Sequence, residues 1–271
     1  MVRKPAVAGQ FYPARKKDLI NKIEDSFSHK LGPGELKKEG KGLRRIKGLV
    51  VPHAGYVYSG PIAAHAYKEL YNDGNPDTII LIGPSHRSIS SEIALSDENF
   101  ETPLGRVETD KNLVEKLKGS MIRIDNMSHQ NEHSIEVQLP FLQYIFEDFK
   151  IVPICLGLQS FDTVKKLGKR IKETIKNLDT VIIASTDFSH YVLKETAEKK
   201  DKMAIDKIIE NDPKGLYDVV QKENISMCGY GPVATMMIGS GGEKGQLLKY
   251  ATSGDIMSMR EVVGYGALSF K

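Results

Sequence analysis

With 271 residues, 40% hydrophobic and 27% charged, the chain has the size and composition of an ordinary globular protein of one large domain or two small ones. A net charge of +3, from 38 basic and 35 acidic residues, gives no concentrated basic face of the kind nucleic-acid binding needs. No stretch approaches the ~18–20 apolar residues of a membrane span. The N-terminal MVRKPAVAGQFYPARKK lacks the unbroken apolar run of a secretory signal. Cys155 lies in the apolar IVPICLGL and Cys228 in the glycine-rich ISMCGYGP, so the two cysteines argue for a reducing cytoplasm and against a disulfide.

In chain order, residues 32–47, GPGELKKEGKGLRRIK, read as a solvated basic loop ahead of the first core strand. GLVVP (48–52) is a short apolar run of the kind that becomes a buried strand. Helical spacing follows over 60–72, with Pro61 near the first turn and Asp73-Gly74 as the stop. TIILIG (78–83), MIRID (121–125), KIVPICL (150–156) and TVIIAS (180–185) repeat the buried-strand pattern. Helices are predicted over 134–147, kinked or restarted at Pro140, over 161–177, and over 195–211, which closes at Asp212-Pro213. GPVATMMIG opens another helix at Pro232, and QLLKYAT (246–252) and VVGYGALSF (262–270) form a final pair of strands. Alternating strands and helices predict one α/β domain over residues 1–271. Its central sheet is largely parallel, with helices on both faces and antiparallel C-terminal strands.

Ligands in such a sheet bind beyond the carboxyl ends of the strands. His53 follows GLVVP, His86 follows TIILIG and His190 follows TVIIAS, each among Gly, Pro, Ser or Asp rather than on an apolar face. Three histidines at equivalent ends of separate strands point to one shared pocket of metal-binding type, because neutral imidazoles bind iron, zinc and copper. Cys228, just before a helix N-terminus whose dipole favours a thiolate, is the best third ligand; a small buried residue at a tight turn explains it equally well. Asp187 either orients His190 for acid–base work or caps its own turn. Tyr58 either donates a hydrogen bond to a ligand or packs on the following helix. His133 is a further pocket residue at a helix mouth, with Glu132 or Ser134 as the cap. His129-Gln-Asn-Glu-His133 matches the H-x-x-E-H peptidase pattern, but a loop entering a helix near Glu132 would put His129 outside it. No nucleophile elbow surrounds Ser185 or Ser189, and His29 and His65 are incidental.

PAVAGQFYP (5–13), VPHAGYVYSG (51–60), LIGPSH (81–86), EHSIEVQLPFL (132–142), STDFSHY (185–191) and ATSGD (251–255) together resemble the Memo family over essentially the whole chain. That family is similar in fold to the class III extradiol, LigB-type dioxygenases, which hold ferrous iron with two histidines and a glutamate. The resemblance implies His53 and His86 as imidazole ligands, Cys228 in the third position and His190 as the acid–base residue; in a metal-dependent enzyme Asp187 and His133 would move protons with it. It implies a divalent metal, iron first and zinc or copper as alternatives, and an oxidoreductase-type enzyme acting on an unknown small molecule or peptide. The cysteine puts ring cleavage in doubt, since a thiolate changes the charge and redox behaviour of iron. Two other functions follow from the same resemblance. One is a phosphopeptide-binding module, and the other is a component working beside a radical-SAM partner protein, as in the AmmeMemoRadiSam set.

Overall fold

The computed structural model describes residues 1–37, 42–87 and 91–271. Its strands are β1 (Val2–Arg3), β2 (Gly48–Val51), β3 (Thr78–Pro84), β4 (Ile93–Leu95), β5 (Asn99–Thr102), β6 (Gly105–Thr109), β7 (Ile122–Ile124), β8 (Lys150–Leu156), β9 (Thr180–Ser185), β10 (His190–Leu193), β11 (Gly245–Thr252) and β12 (Glu261–Phe270). The helices are α1 (Lys16–Ser28), α2 (Tyr56–Asp73), α3 (Lys111–Leu117), α4 (Met127–Gln130), α5 (Leu139–Ile145), α6 (Phe161–Thr174), α7 (Lys194–Ile209), α8 (Pro213–Lys222), α9 (Tyr230–Ser240) and α10 (Ser253–Ile256).

The strands join in one sheet whose central order is β6-β8-β3-β9-β2-β12. The pairs from β6 to β2 are all parallel. The C-terminal strand β12 runs antiparallel to β2, and β11 antiparallel to β12. The α/β architecture predicted from the sequence is the one observed.

Alternation along the strands divides the core in two, because successive side chains leave a strand on opposite faces. Leu49, Val51, Ile79, Leu81 and Ile183 pack with Leu19 and Ile23 of α1, Ile62 of α2 and Phe141 of α5. Val50, Ile80, Ile82, Ile182 and Ala184 pack with Val164 and Leu167 of α6 and Val233 and Met236 of α9. A parallel sheet covered on both sides must be apolar at every position, which is why these strands read as unbroken hydrophobic runs.

Several boundaries differ from the sequence-based expectation. The second helix starts at Tyr56 with Gly55 as its N-cap, so Pro61 lies inside it. The carbonyl left without Pro61's N–H belongs to Val57, a residue 52% exposed. MIRID yields only Ile122–Ile124, paired with β4 at the sheet margin. Its Ile-Arg-Ile alternation makes a half-buried strand, not a core one. The 134–147 segment splits into a 3-10 turn, Glu136–Gln138, and α5, with Pro140 at the restart. Helix α7 already closes at Ile209 with Glu210 as its C-cap, and Asp212 caps α8 instead, accepting from the Gly215 N–H at 2.8 Å. Of the basic 32–47 loop, residues 38–41 lie outside the described residues, while Arg44 pairs with Asp73 and Asp179 at 3.0 and 2.7 Å. Among the described residues no helix is long and apolar enough to cross a membrane.

Candidate metal centre

Strands β3, β9 and β2 are neighbours, and all three end on the same side of the sheet. Their next few residues are Ser85-His86, Thr186-Asp187 and Pro52-His53, so topology alone brings two imidazoles and a carboxylate together. His53, His86, His133, Asp187, His190 and Tyr58 all line one pocket of about 550 Å³. Phe11, Met259, Val263 and Tyr265 give it an apolar wall.

Cys228 comes to the same place from 175 residues away: its Sγ lies 3.2 Å from His53 Nε2. The turn that carries it packs hard against the end of β9. A Cβ on Gly229 would stand 2.5 Å from the Ser185 carbonyl oxygen, so only glycine fits there. The single ligand atoms of His53, His86 and Cys228 all lie within 4.8 Å of one another. Two imidazoles and a sulfur are donors for borderline and soft ions such as iron, zinc or copper, and they leave coordination positions free. The residues present therefore fit the metal that the sequence implied, without choosing among those ions.

Hydrogen bonds fix which ring nitrogen faces the centre. His53 Nδ1 lies 2.8 Å from Ser185 Oγ. His86 Nδ1 lies 3.0 Å from Glu132 Oε1, and His190 Nδ1 lies 2.8 Å from the Ser226 carbonyl. Carbonyls and carboxylates only accept, so His86 and His190 donate through Nδ1 and keep the Nε2 lone pair free. Burial pushes His53 well below the ordinary imidazole range, and the neighbouring His133 and His86 add to that. Burial likewise lowers His133 to about 4, against the pull of Glu132. Both rings are neutral at pH 7, the form in which imidazole binds metal.

The thiol departs from expectation. Burial pushes Cys228 up to about 12, and Asp187 adds to the rise against the Asp187 backbone N–H. Desolvation of the anion outweighs the helix N-terminus, so in the metal-free protein Cys228 is a thiol at neutral pH. Burial also raises Asp187 to about 6, although the His53 N–H donates to its Oδ1 at 2.9 Å. Its Oδ2 lies 3.9 Å from His53 Nε2, which places the carboxylate against the ligand set as well as near His190.

Glu132 is the site residue that sequence patterns read only as a cap. Its Oε1 accepts from His86 Nδ1 and from the backbone N–H groups of His133 and Ser134, the latter two at 2.8 Å. Its Oε2 accepts from the His86 N–H at 2.6 Å. His86, Glu132 and His133 also lie close enough to hold an ion. Four donors already occupy this carboxylate, on a side chain only 1% exposed, and two of them come from His86, which it holds in place. Ser134 donates to the Pro84 carbonyl and caps no helix. His129 sits in α4 and His133 beyond its end, so the H-x-x-E-H pattern does not lie on one helix. His129 is buried with Nε2 3.0 Å from the Ala94 carbonyl, away from the pocket. Cys155 is buried in β8, as its run predicted, and both cysteines are free.

The Memo family model, described as Memo-like protein, matches residues 3–269. The chain belongs to the Memo family. A MEMO1 family protein of Methanopyrus kandleri is 45% identical over 281 residues, covering 100% of this chain and 99% of the relative. One from Thermotoga neapolitana is 46% identical over 272 residues, covering 98% of each. Among solved structures, an uncharacterised protein of Escherichia coli K12 aligns with a TM-score of 0.52 at 12% identity. It covers 84% of this chain and 100% of that one, a likeness of fold alone. The Memo motifs map onto the site: VPHAGYVYSG supplies His53 and Tyr58, LIGPSH supplies His86, EHSIEVQLPFL supplies Glu132 and His133, and STDFSHY supplies Asp187 and His190.

Proposed function

We propose that the Memo pocket is the active site of a metal-dependent enzyme of oxidoreductase type, with His53, His86 and Cys228 as the ligands. Iron is the first candidate, and zinc and copper are the alternatives. The observation that carries this reading is the convergence of the three ligand atoms within 4.8 Å at the ends of adjacent strands. A bound ferrous ion would supply one-electron chemistry and open positions for a small donor ligand.

The chain's own groups divide the remaining work. His190 presents Nε2 to the pocket while its backbone N–H and Nδ1 are tied to Ser226 at 2.7 and 2.8 Å, so it accepts or returns a proton without turning. Asp187, raised to about 6, and His133, lowered to about 4, are further proton-carrying groups in the same hollow. Tyr58, Phe11 and Tyr265 line the hollow and would exclude water around a ligand, to which the Tyr58 hydroxyl would donate a hydrogen bond.

Anaerobic reconstitution with ferrous ion, followed by metal analysis, tests the assignment. About one ion per chain is expected in the parent and in His190→Ala, with loss in His53→Ala, His86→Ala and Cys228→Ser. Equal metal in all five proteins would refute it. The pocket chemistry also bears on the phosphopeptide alternative. None of the described lining residues is Lys or Arg, and Asp187 would face a phosphoryl group. Calorimetry with phosphotyrosine should therefore show binding only to the metal-loaded protein, and tight binding to the metal-free protein would favour that alternative.

A further inference from the structure

His53 is held from behind by polar side chains that no motif marked. Gln138 is 1% exposed, Ser185 2%, Ser134 and Tyr67 fully buried, and His53 itself 1%. In so dry a place each hydrogen has one acceptor and each lone pair needs a donor, so proton positions can be deduced from heavy atoms.

Two backbone carbonyls set the direction. Gln138 has one amide atom 3.1 Å from the Pro52 carbonyl oxygen, which can only accept. That atom is therefore the NH₂ nitrogen, and Oε1 faces the donating Tyr67 hydroxyl. The second amide hydrogen points to Ser185 Oγ at 2.8 Å. Ser185 Oγ in turn stands 2.6 Å from the Ser134 carbonyl oxygen, a separation that two bare oxygens cannot share, so the serine hydrogen lies between them. Ser185 has then donated its only hydrogen, and one of its two lone pairs is taken by Gln138.

The remaining lone pair faces His53 Nδ1 at 2.8 Å. A second lone pair on Nδ1 would repel it, and no hydrogen is left on the serine. We infer that Ser185 and Gln138 are positioning residues that lock His53 in the Nδ1-protonated tautomer, leaving Nε2 bare beside Cys228 for a metal ion. Nε2 has acceptors of its own in Cys228 Sγ at 3.2 Å and, farther off, Asp187 Oδ2 at 3.9 Å, which would otherwise draw the proton to the wrong nitrogen. The segment Glu132–Gln138 thus serves both imidazoles: Glu132 orients His86, while the Ser134 carbonyl and the Gln138 amide orient Ser185 and through it His53.

The metal consequence rests on the proposal that His53 is a ligand, but the tautomer does not, so two measurements separate them. Histidine ¹⁵N spectra of metal-free protein near pH 8 should show His53 as a single Nδ1–H form in the parent and in Ser185→Thr. Ser185→Ala, which removes the acceptor, should give a resonance for the Nε2–H form donating to Cys228. Zinc titration should show affinity about 10–100-fold weaker in Ser185→Ala, as loss of a group that orients a metal-binding histidine typically causes, with Ser185→Thr close to the parent. An Nε2–H form in the parent overturns the inference without any variant. Unchanged tautomer and zinc affinity in Ser185→Ala overturn it as well. A parent that holds the Nδ1–H form yet binds no zinc would leave the positioning intact and remove the metal reading instead.

Discussion

Cys228 Sγ and His53 Nε2 stand 3.2 Å apart, close enough for the thiol hydrogen to rest on the bare imidazole nitrogen. The pair is thus occupied by a proton until a cation replaces it. With Cys228 raised to about 12 by burial and by Asp187, metal binding at neutral pH must release that proton. Calorimetric titration of zinc in two buffers of different ionisation heat should find close to one proton released per ion, and affinity should rise about tenfold per pH unit near neutrality. In Cys228→Ser the pH dependence should largely vanish along with most of the affinity. Proton release near zero in the parent would mean the sulfur stays outside the coordination sphere.

Glu132 provides a second expectation. Burial alone would raise it, but the hydrogen bond and charge of His86 and the backbone N–H groups of Ser134 and His86 hold it below the usual carboxylate range. Glu132→Ala strips an acceptor from the His86 ring and from three backbone N–H groups at once. Metal affinity should fall about 10–100-fold, as for other residues that orient a ligand. The variant should also lose about 2–4 kcal/mol in urea denaturation, because donors are left buried and unpaired. A variant with parental affinity would show that His86 needs no such support.

Acid should weaken the metal-free protein in a defined window. His129 and His133 are lowered to about 4, chiefly by burial, and His53 is lowered well below its ordinary value for the same reason. Unfolded histidines take up protons near pH 6.5, whereas these folded ones do not. Stability is therefore fully present above pH 6.5 and falls progressively toward pH 4. Each fully buried histidine accounts for about 2 kcal/mol of loss between pH 7 and 5. His129→Asn should lower stability at pH 7, flatten this fall and leave metal stoichiometry unchanged. Loss of metal in His129→Asn would return that residue to the site.

The N-terminal strand is tied to the same scaffold. Arg3 pairs with Glu136 and donates to the carbonyls of His129 and Glu132 at 2.9 and 2.8 Å, with both charged side chains fully buried. Arg3→Met takes the buried counter-ion from Glu136, which keeps only the Ala6 and Val7 N–H groups and the Tyr12 hydroxyl as donors, and should cost about 3–5 kcal/mol in urea denaturation. Lys4→Met, which breaks only the exposed pair with Glu101, should cost less than about 1 kcal/mol. Similar costs for the two would show that burial does not govern the Arg3 pair.

Much of this arrangement could be read before any coordinates. The core strands were legible because a sheet covered on both faces requires unbroken apolar runs, and β2, β3, β8 and β9 have them. The strands Ile93–Leu95, Asn99–Thr102 and Gly105–Thr109 were not, being short and, in the last two, partly polar. His53 and His86 announced themselves by following strands into glycine- and proline-rich turns. Their holders did not. Ser185 and Gln138 are 47 residues apart, and Ser185 and His53 are 132 apart, so no local pattern joins them. A buried Gln or Ser also looks in sequence like any surface one. Helix α1 is hidden by the charged residues that break up its apolar face, and the capping role of Asp212 is hidden because Asp212-Pro213 reads first as a stop.

X-ray absorption spectroscopy of the anaerobically iron-loaded protein tests the Memo centre most directly. About one iron per chain is expected, with one sulfur and at least two imidazole nitrogens in the first coordination sphere. The sulfur contribution should be lost in Cys228→Ser. Iron bound only by nitrogen and oxygen, with a spectrum that Cys228→Ser leaves unchanged, would contradict it.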